Sequence, residues 1–261
     1  MNTLSLRRHP QPRNTLARPA VGMLIQYGHG ERESWHQHPH GQLTFAARGV
    51  VRVLTPSRTW TLPPSRAAWL PSHVDHELHA VGDSEFCSVW VESNAFPWPW
   101  REPAVIAATP LVRELALMLG EGGEKYAPDS RAALTAPLLL DVLAGMPALP
   151  EAGVPLPRDE RLAKICEHMM NDPGSTLTLE FWGEQFGASG RTLERRFKSE
   201  TGLSFGVWRQ QMRVAESITR LALGESVQRI AKEFGYSTAS AFIAMFRQIT
   251  GESPQRYVAS K

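Results

Sequence analysis

The stretch SGRTLERRFKSETGLS, from Ser189 to Ser204, has the pattern of an amphipathic helix that ends at a glycine. Leu193 and Phe197 stand four residues apart and form one apolar stripe, as the core-facing side of a helix does. The opposite side then carries three cationic residues, Arg191, Arg195 and Lys198. Such a cationic face is typical of an ordinary solvated helix, and also of a helix that enters the major groove of DNA.

A second copy of this pattern follows in GYSTASAFIAMFRQITGESPQRY, from Gly235 to Tyr257. In front of each copy, a short amphipathic helix is predicted to end at a glycine, Gly187 in the first and Gly235 in the second. The offset between the copies is 235 − 187 = 48 residues at these glycines and 251 − 202 = 49 at the later pair, so the second turn is predicted to be one residue longer. A helix, a glycine turn and a second helix form a helix-turn-helix unit. Two such units in tandem favour DNA binding over a merely solvated face.

Residues 158–258 resemble the DNA-binding domain of AraC/XylS-family transcriptional regulators, in which a long helix joins two helix-turn-helix units. The resemblance implies a sequence-specific regulator rather than an enzyme, with double-stranded operator DNA and RNA polymerase as partners. Ala244 stands where the family often has an arginine, so the phosphate contact of the second helix-turn-helix is either weaker or made by Arg247. The predicted DNA-binding residues are Ser189, Arg191, Thr192, Arg195, Lys198, Ser237, Thr238, Ser240 and Arg247.

The organisation of the 261-residue chain favours two domains. Residues 1–18 are polar, basic and rich in proline, which predicts a flexible arm rather than a secretory signal. Four prolines between positions 146 and 157 predict a linker there. The two cysteines, Cys87 and Cys166, form no CxxC pair, and no apolar run approaches the roughly 18 residues of a membrane helix. We therefore expect a cytoplasmic protein that makes no contact with a membrane.

Residues 19–145 contain short runs of β-branched and aromatic residues separated by turn residues, as in QLTFAA, VVRVLT and FCSVWVE. This pattern predicts a β-sandwich or barrel. Two helices are predicted after it, in TPLVRELALMLGE and SRAALTAPLLLDVLAGM. They carry more apolar residues than lone surface helices need, which predicts a homodimer formed through this half. The predicted fold class is α+β in two domains, with a β-rich N-terminal domain and an all-α C-terminal domain.

The segment WHQHPHGQ, from Trp35 to Gln42, places three histidines at alternate positions. Alternate residues of a strand point to one face, so His36, His38, His40 and Gln42 would share it. Such a face suits a metal site, a pocket for a small molecule, or a polar edge strand.

Two stretches of this half, WHQHPHGQLTFAARG and WLPSHVDHELHA, resemble the two motifs of the cupin barrel. By position in those motifs, four residues fall on metal-ligand slots: His36, His38, Gln42 and His76. His40 is either an extra ligand or an exposed loop residue. The chain departs from the motifs in Gln42 for glutamate, His73 for glycine and Ala80 for asparagine. Asp75 or Glu77 is then the alternative source of a carboxylate.

The resemblance and the chemistry of imidazole together imply a bound divalent transition metal, either Ni, Zn, Cu or Fe. Three alternatives stay open: a metal-free sensor of an organic effector, a structural remnant, and a cupin metalloenzyme. The enzyme is disfavoured because no base, nucleophile or carboxylate is convincingly placed and because a DNA-binding tail would be unexplained. A related branch with a histidine-rich barrel implies control of a neighbouring transporter gene.

Overall fold

The computed structural model describes residues 15–93, 95, 100–149 and 153–258, which divide into two compact units. The first unit comprises the described residues up to Thr55 and from Leu62 to Leu149, and the second comprises Pro56–Thr61 and the described residues from Gly153 to Tyr257. Most of the predicted arm, and part of the predicted linker, lie outside the described residues. The described end of the arm is bonded to the first unit, because the Leu16 amide donates to Glu92 Oε1 (2.7 Å) and Arg18 donates to the Tyr126 carbonyl (3.0 Å).

The strands of the first half, in chain order, are β1 (Ala20–Tyr27), β2 (Arg32–His36), β3 (Gly41–Thr55), β4 (Arg58–Leu62), β5 (Arg66–Leu70), β6 (His76–Val91) and β7 (Ala104–Ala107). β6 lies between β1 and β3 and is antiparallel to both. β2 pairs with the first half of β6, and β5 pairs with β3 and β7. The strands β2 and β7 were not predicted from the sequence.

The strand β3 unites QLTFAA and VVRVLT, which the sequence analysis treats as two strands. The pairing with β6 shifts register on both sides of Arg48, next to Gly49, whose φ is +81°. A Cβ at Gly49 would lie 2.2 Å from Ser84 Oγ, so only glycine fits this bulge. The bulge bends β3 without ending it. From the sequence alone, Gly49 cannot be told from a glycine that ends a strand.

The two predicted helices are confirmed as α1 (Pro110–Gly122) and α2 (Arg131–Ala144). They share a hydrophobic core with one face of the sheet, to which β3 contributes Leu43 and Phe45. Alternation along the same strand places Gln42 and Thr44 on the other face, where both are buried. A buried polar face of this kind positions the candidate site.

The second unit is helical apart from most of β4 and the two-residue strand β8 (Val154–Pro155), which pair with each other. Its helices are α3 (Glu160–Asn171), α4 (Leu179–Phe186), α5 (Gly190–Thr201), α6 (Phe205–Ala222), α7 (Val227–Glu233), α8 (Ala239–Thr250) and α9 (Pro254–Val258). None of the helices in the described part of the chain has both the length and the apolar character needed to span a membrane. Together, the β-rich first unit and the helical second unit confirm the predicted α+β fold class.

The predicted repeat is confirmed by its helix caps. α4 and α7 begin after the caps Thr178 and Ser226, which are 226 − 178 = 48 residues apart. α5 and α8 begin after Ser189 and Thr238, which are 238 − 189 = 49 residues apart, so the second turn is one residue longer. Because of that extra residue Thr238, and not Ser237, caps α8.

Candidate metal centre and nucleic-acid interface

Three histidines from separate elements meet on the buried polar face of the first unit. His36 ends β2, His76 begins β6, and the two are paired across the strands. His38 lies in the connection between β2 and β3. One nitrogen from each of the three rings lies within 4.8 Å of the other two, a spacing that could hold a metal ion.

The predicted single strand face over 36–42 is wrong, although three of its members do meet. β2 ends at His36 and β3 begins only at Gly41, so His38 reaches the cluster through a turn and not through strand alternation. The His38 carbonyl is fixed by the amide of His73 (2.8 Å), which has a left-handed φ of 62° at the slot where the cupin motif has glycine.

His40 is neither an exposed loop residue nor part of the cluster. Its side chain is 1% exposed, and its Nδ1 lies 3.8 Å from Glu92 Oε1. The three-histidine cluster found among the described residues does not include it. Both alternatives that the sequence left open for His40 therefore differ from the structure.

The hydrogen bonds of the three clustered rings fix their tautomer. Each Nδ1 lies 2.7–2.8 Å from a backbone carbonyl oxygen, which can only accept: those of Ser34, His40 and Val74. Each Nδ1 therefore carries the ring proton, and in a neutral ring Nε2 presents a lone pair to the cluster. Burial lowers the pKa of His76 to about 3 and also lowers the pKa of His38, so both rings are neutral at pH 7.

The carboxamide of Gln42 lies beside two of these rings. Its Oε1 lies 2.8 Å from Nε2 of His38 and 3.1 Å from Nε2 of His76. Its Nε2 donates instead to Ser88 Oγ (3.1 Å). Because the ring protons are on Nδ1, Nε2 of His38 and Nε2 of His76 can only accept, and the Gln42 carboxamide in its other orientation would donate its two N–H bonds to them. A cation bound among the ring nitrogens and the amide oxygen would make all of these atoms ligands.

The two carboxylates suggested by the sequence lie elsewhere. Asp75 is exposed, and Glu77 lies 3.4 Å from Arg32 Nη1 and 3.1 Å from His79 Nε2. The carboxylate beside the cluster is that of Glu33, whose Oε2 lies 3.9 Å from His36 Nε2. The sequence analysis missed Glu33, since a residue three positions before His36 would face the opposite side of a regular strand.

In the second unit, α5 has the two faces that its sequence predicts. Leu193 and Phe197 are buried in the core with Phe205 and Trp208. The predicted contact residues Ser189, Arg191, Thr192, Arg195 and Lys198 are all exposed. The Ser189 hydroxyl caps the helix by accepting the Thr192 amide (3.1 Å). The cationic face is therefore free of the core and open to solvent.

Arg196 shows why exposure alone does not define a DNA-contacting residue. Its Nε lies 2.8 Å from Asp159 Oδ2 and 3.0 Å from Glu200 Oε1. Within the described part of the chain, Arg195 has no such ion pair. The guanidinium of Arg195 is thus available to a ligand, whereas that of Arg196 connects α5 to the start of α3.

The helix α8, which is the counterpart of α5 in the second helix-turn-helix, presents a face with less charge. Phe242 and Phe246 are buried, matching Leu193 and Phe197 of α5. The predicted residues Ser237, Thr238, Ser240 and Arg247 are all exposed, as is Ala244. The Thr238 hydroxyl accepts the Ala241 amide (3.1 Å), so this side chain acts as a helix cap. Arg247 is the one cation among these predicted contacts.

The end of the predicted linker, 153–157, and the two residues after it form hydrogen bonds within the second unit. Trp208 of α6 donates through Nε1 to the Pro155 carbonyl (2.7 Å), and the Leu156 amide donates to the Ser57 carbonyl (2.9 Å). Glu200 at the end of α5 accepts the amides of Arg158 (2.7 Å) and Asp159 (2.9 Å). The end of the linker is thus bonded to α6 and Ser57, and the two residues that follow it are bonded to α5, which the proline content did not indicate.

Comparisons with known proteins agree with both halves. The description "AraC-like ligand binding domain" matches residues 19–172, and "Helix-turn-helix domain" matches residues 182–260. The chain is 31% identical over 260 residues to the HTH-type transcriptional regulator NimR of Escherichia coli (strain K12), covering 99% of this chain and 94% of NimR. It is 31% identical over 107 residues to the HTH-type transcriptional regulator RipA of Corynebacterium glutamicum, covering 41% of this chain and 32% of RipA. Among solved structures, unsaturated fatty acid bound ToxT of Vibrio cholerae matches with a TM-score of 0.38 at 10% identity, covering 94% of this chain and 96% of ToxT.

Proposed function

This chain belongs to the AraC family of transcriptional regulators, and we propose that its ligand-binding domain senses a divalent transition metal through His36, His38 and His76. It is a DNA-binding regulator and not an enzyme, as its relatives are named transcriptional regulators. The metal changes the affinity of the second unit for operator DNA, because a ligand that prefers one of two arrangements shifts the population toward it.

One observation carries the proposal: one nitrogen from each of the three imidazoles lies within 4.8 Å of the other two, while the Nδ1 protons are bound to backbone carbonyls. Backbone carbonyls hold the Nδ1 protons, as outer hydrogen-bond partners do for metal-binding histidines. The donor set contains nitrogen and oxygen without thiolate, which favours Ni, Zn, Cu or Fe over Ca or Mg. The donors therefore fit the predicted metals. Bound metal would act as a Lewis acid that draws β2, β3 and β6 together.

Metal titration of tag-free, full-length protein tests the proposal. We expect Ni(II) or Zn(II) to raise the melting temperature, because a ligand that binds only the folded state stabilises it. The double variant His36→Ala/His38→Ala should fold and lose this shift. The matched variant His29→Ala/His79→Ala removes two histidines of the same unit outside the cluster and should keep it. Equal shifts for both variants would show that the metal binds elsewhere.

An organic effector is the second candidate, because the first unit also contains an open, mostly apolar cleft of about 640 Å³. Tyr126, Ala136 and Leu140 contribute to its lining, with Arg18 as a cationic group. This volume lies in the range of small-molecule pockets. Elemental analysis of the purified protein separates the two candidates, since a metal-free protein that responds to no divalent ion would favour the organic effector.

The remaining partners follow from the DNA-binding role. We infer a homodimer that works in the cytoplasm, where it binds operator DNA and contacts RNA polymerase. The target that the resemblance suggests is a neighbouring transporter gene, whose product would export or import the sensed ligand. Transcript levels of the flanking genes, measured with and without the metal in a deletion strain, test this target.

A further inference from the structure

A bulge in β2 brings a carboxylate to the histidine cluster. Glu33 pairs with Leu78 and His36 pairs with His76, so three steps along β2 match two steps along β6. In a regular strand, positions 33 and 36 would face opposite sides. One extra residue restores them to the same side, which is a known use of bulges beside functional sites. Glu33 therefore faces the side of the sheet that carries His36 and His76.

The surroundings of Glu33 leave one oxygen directed at the cluster. The residue is 7% exposed, and its Oε1 accepts a short hydrogen bond from the Tyr27 hydroxyl. Its Oε2 lies 3.9 Å from His36 Nε2, which is its one ion-pair distance within the described part of the chain. A buried carboxylate is costly unless a positive charge compensates it. A cation between Oε2 and the histidines would supply that charge, although Glu33 lies outside the group of three histidines whose nitrogens are within 4.8 Å of one another.

We propose that Glu33 is the anionic ligand of the metal site, bound through Oε2 while Tyr27 holds Oε1. This inference rests on the proposed metal sensing. Ligands about 2.1 Å from a tetrahedral ion lie roughly 3.4 Å apart. The 3.9 Å between Oε2 and His36 Nε2 is close to that value, and Oε2 would also have to move toward the other two histidines, since Glu33 lies outside their 4.8 Å group. With a single carboxylate ligand, the net charge of a site that holds a divalent ion falls from +2 to +1. Three imidazoles and an amide alone would leave the full charge in a buried site.

The position of Glu33 also suggests how the site opens. The His36 side chain is 15% exposed, whereas His76 is fully buried. Glu33 and His36 both belong to β2, so this strand supplies the outer ligands, and β3 and β6 supply the inner ones. Metal binding would then fix β2 against the rest of the sheet.

Zn(II) binding to tag-free, full-length protein by calorimetry tests this role. We expect Glu33→Gln to weaken Zn(II) binding at least tenfold, since it removes a charged ligand without changing the shape of the side chain. Glu77→Gln is the matched control, because Glu77 is buried like Glu33 and lies in the adjacent strand β6. Its ion pairs are with Arg32 and His79, not with the histidine cluster. This variant should bind Zn(II) as the parent does. The visible spectrum of bound Co(II) should change in Glu33→Gln and not in Glu77→Gln.

The outcomes separate the two claims. Parental Zn(II) affinity in Glu33→Gln would overturn the role of Glu33 and leave the three-histidine site standing. No binding by the parent protein would refute metal sensing itself, and the role of Glu33 with it. If Glu33→Gln does not fold, Tyr27→Phe removes the hydroxyl that holds the carboxylate and should weaken binding to a smaller degree. Unchanged affinity in Tyr27→Phe would then overturn the proposal.

Discussion

Arg195 and Arg196 are adjacent on α5, but their guanidinium groups lie in different surroundings. Arg196 is paired with Asp159 and Glu200, while Arg195 is exposed on the face opposite Leu193. We expect Arg195→Ala to weaken operator binding by about 1–3 kcal/mol and to relax specificity at one base position, as for loss of a bidentate guanine contact.

Fluorescence anisotropy at fixed salt, with single-base variants of the operator, measures this effect. Arg196→Ala is the matched control, because it removes an exposed arginine of the same helix whose partners are within the protein. Its base preferences should equal those of the parent. Unchanged binding by Arg195→Ala would mean that another face of α5 enters the groove.

At the scale of residues, the sequence predicted the histidines that meet in the cluster and missed the carboxylate beside it. The two motif stretches indicated His36, His38, Gln42 and His76, which the structure brings together. Glu33 lies outside both stretches, and only the bulge in β2 directs it to them. Strand alternation is a rule for regular strands, so a sequence without a visible bulge signal cannot place such a residue.

At the scale of elements, the start of α3 depends on one carboxylate. Asp159 caps this helix by accepting the amides of Arg161 (3.0 Å) and Leu162 (3.4 Å), and it also pairs with Arg196 of α5. We expect Asp159→Ala to lower the free energy of unfolding by about 1–2 kcal/mol, the usual cost of a lost cap. Asp159→Asn keeps an acceptor at the cap and should lose less. Urea unfolding followed by circular dichroism measures both.

The same residue makes the second unit sensitive to acid. Hydrogen bonds from Arg161 lower the pKa of Asp159 from 3.8 to about 2. Since the folded pKa is below the unfolded one, the stabilisation is complete above about pH 4 and is lost as the pH falls toward 2. Stability should therefore fall less steeply across this range in Asp159→Asn than in the parent. Parallel curves would show that other carboxylates, such as Glu200, dominate the acid response.

Elements of strong periodicity were predicted well, and short or bent ones were not. The helices α1, α2, α5 and α8 follow directly from their apolar spacing. β2 has five residues and β7 has four, which is too short for alternation to stand out. β3 was divided in two because Gly49 looks like a turn residue, although it forms a bulge within one long strand.

For the whole molecule, chain order and compact units do not coincide. Pro56–Thr61 belongs to the first half of the sequence and to the second compact unit, where β4 pairs with β8. The proline-rich segment correctly marked a change from strands to helices. It could not reveal this pairing, because contacts between distant segments leave no local signal in a single sequence.

Assembly is the remaining question at this scale, and the helices of the first unit suggest the answer. Leu134 and Leu138 are 75% and 49% exposed and stand one turn apart on α2. On α1, Leu111 and Met118 are also exposed. Neighbouring exposed leucines on one helix are costly in water and mark a surface that another chain covers. We therefore expect the full-length protein to be a dimer in solution.

The double variant Leu134→Glu/Leu138→Glu tests this expectation in the full-length chain. Light scattering should give the mass of a monomer, because four charges would face one another across a two-fold interface. Leu223→Glu is the control, since Leu223 is 48% exposed in the second unit and should leave the dimer intact. The double variant should also bind an operator with two half-sites more weakly than the parent, because a monomer lacks the gain in affinity that two linked DNA-binding domains provide. Its affinity for a single half-site should equal that of the parent. A parent protein that is monomeric at micromolar concentration would contradict the dimer, and these leucines would then need another partner.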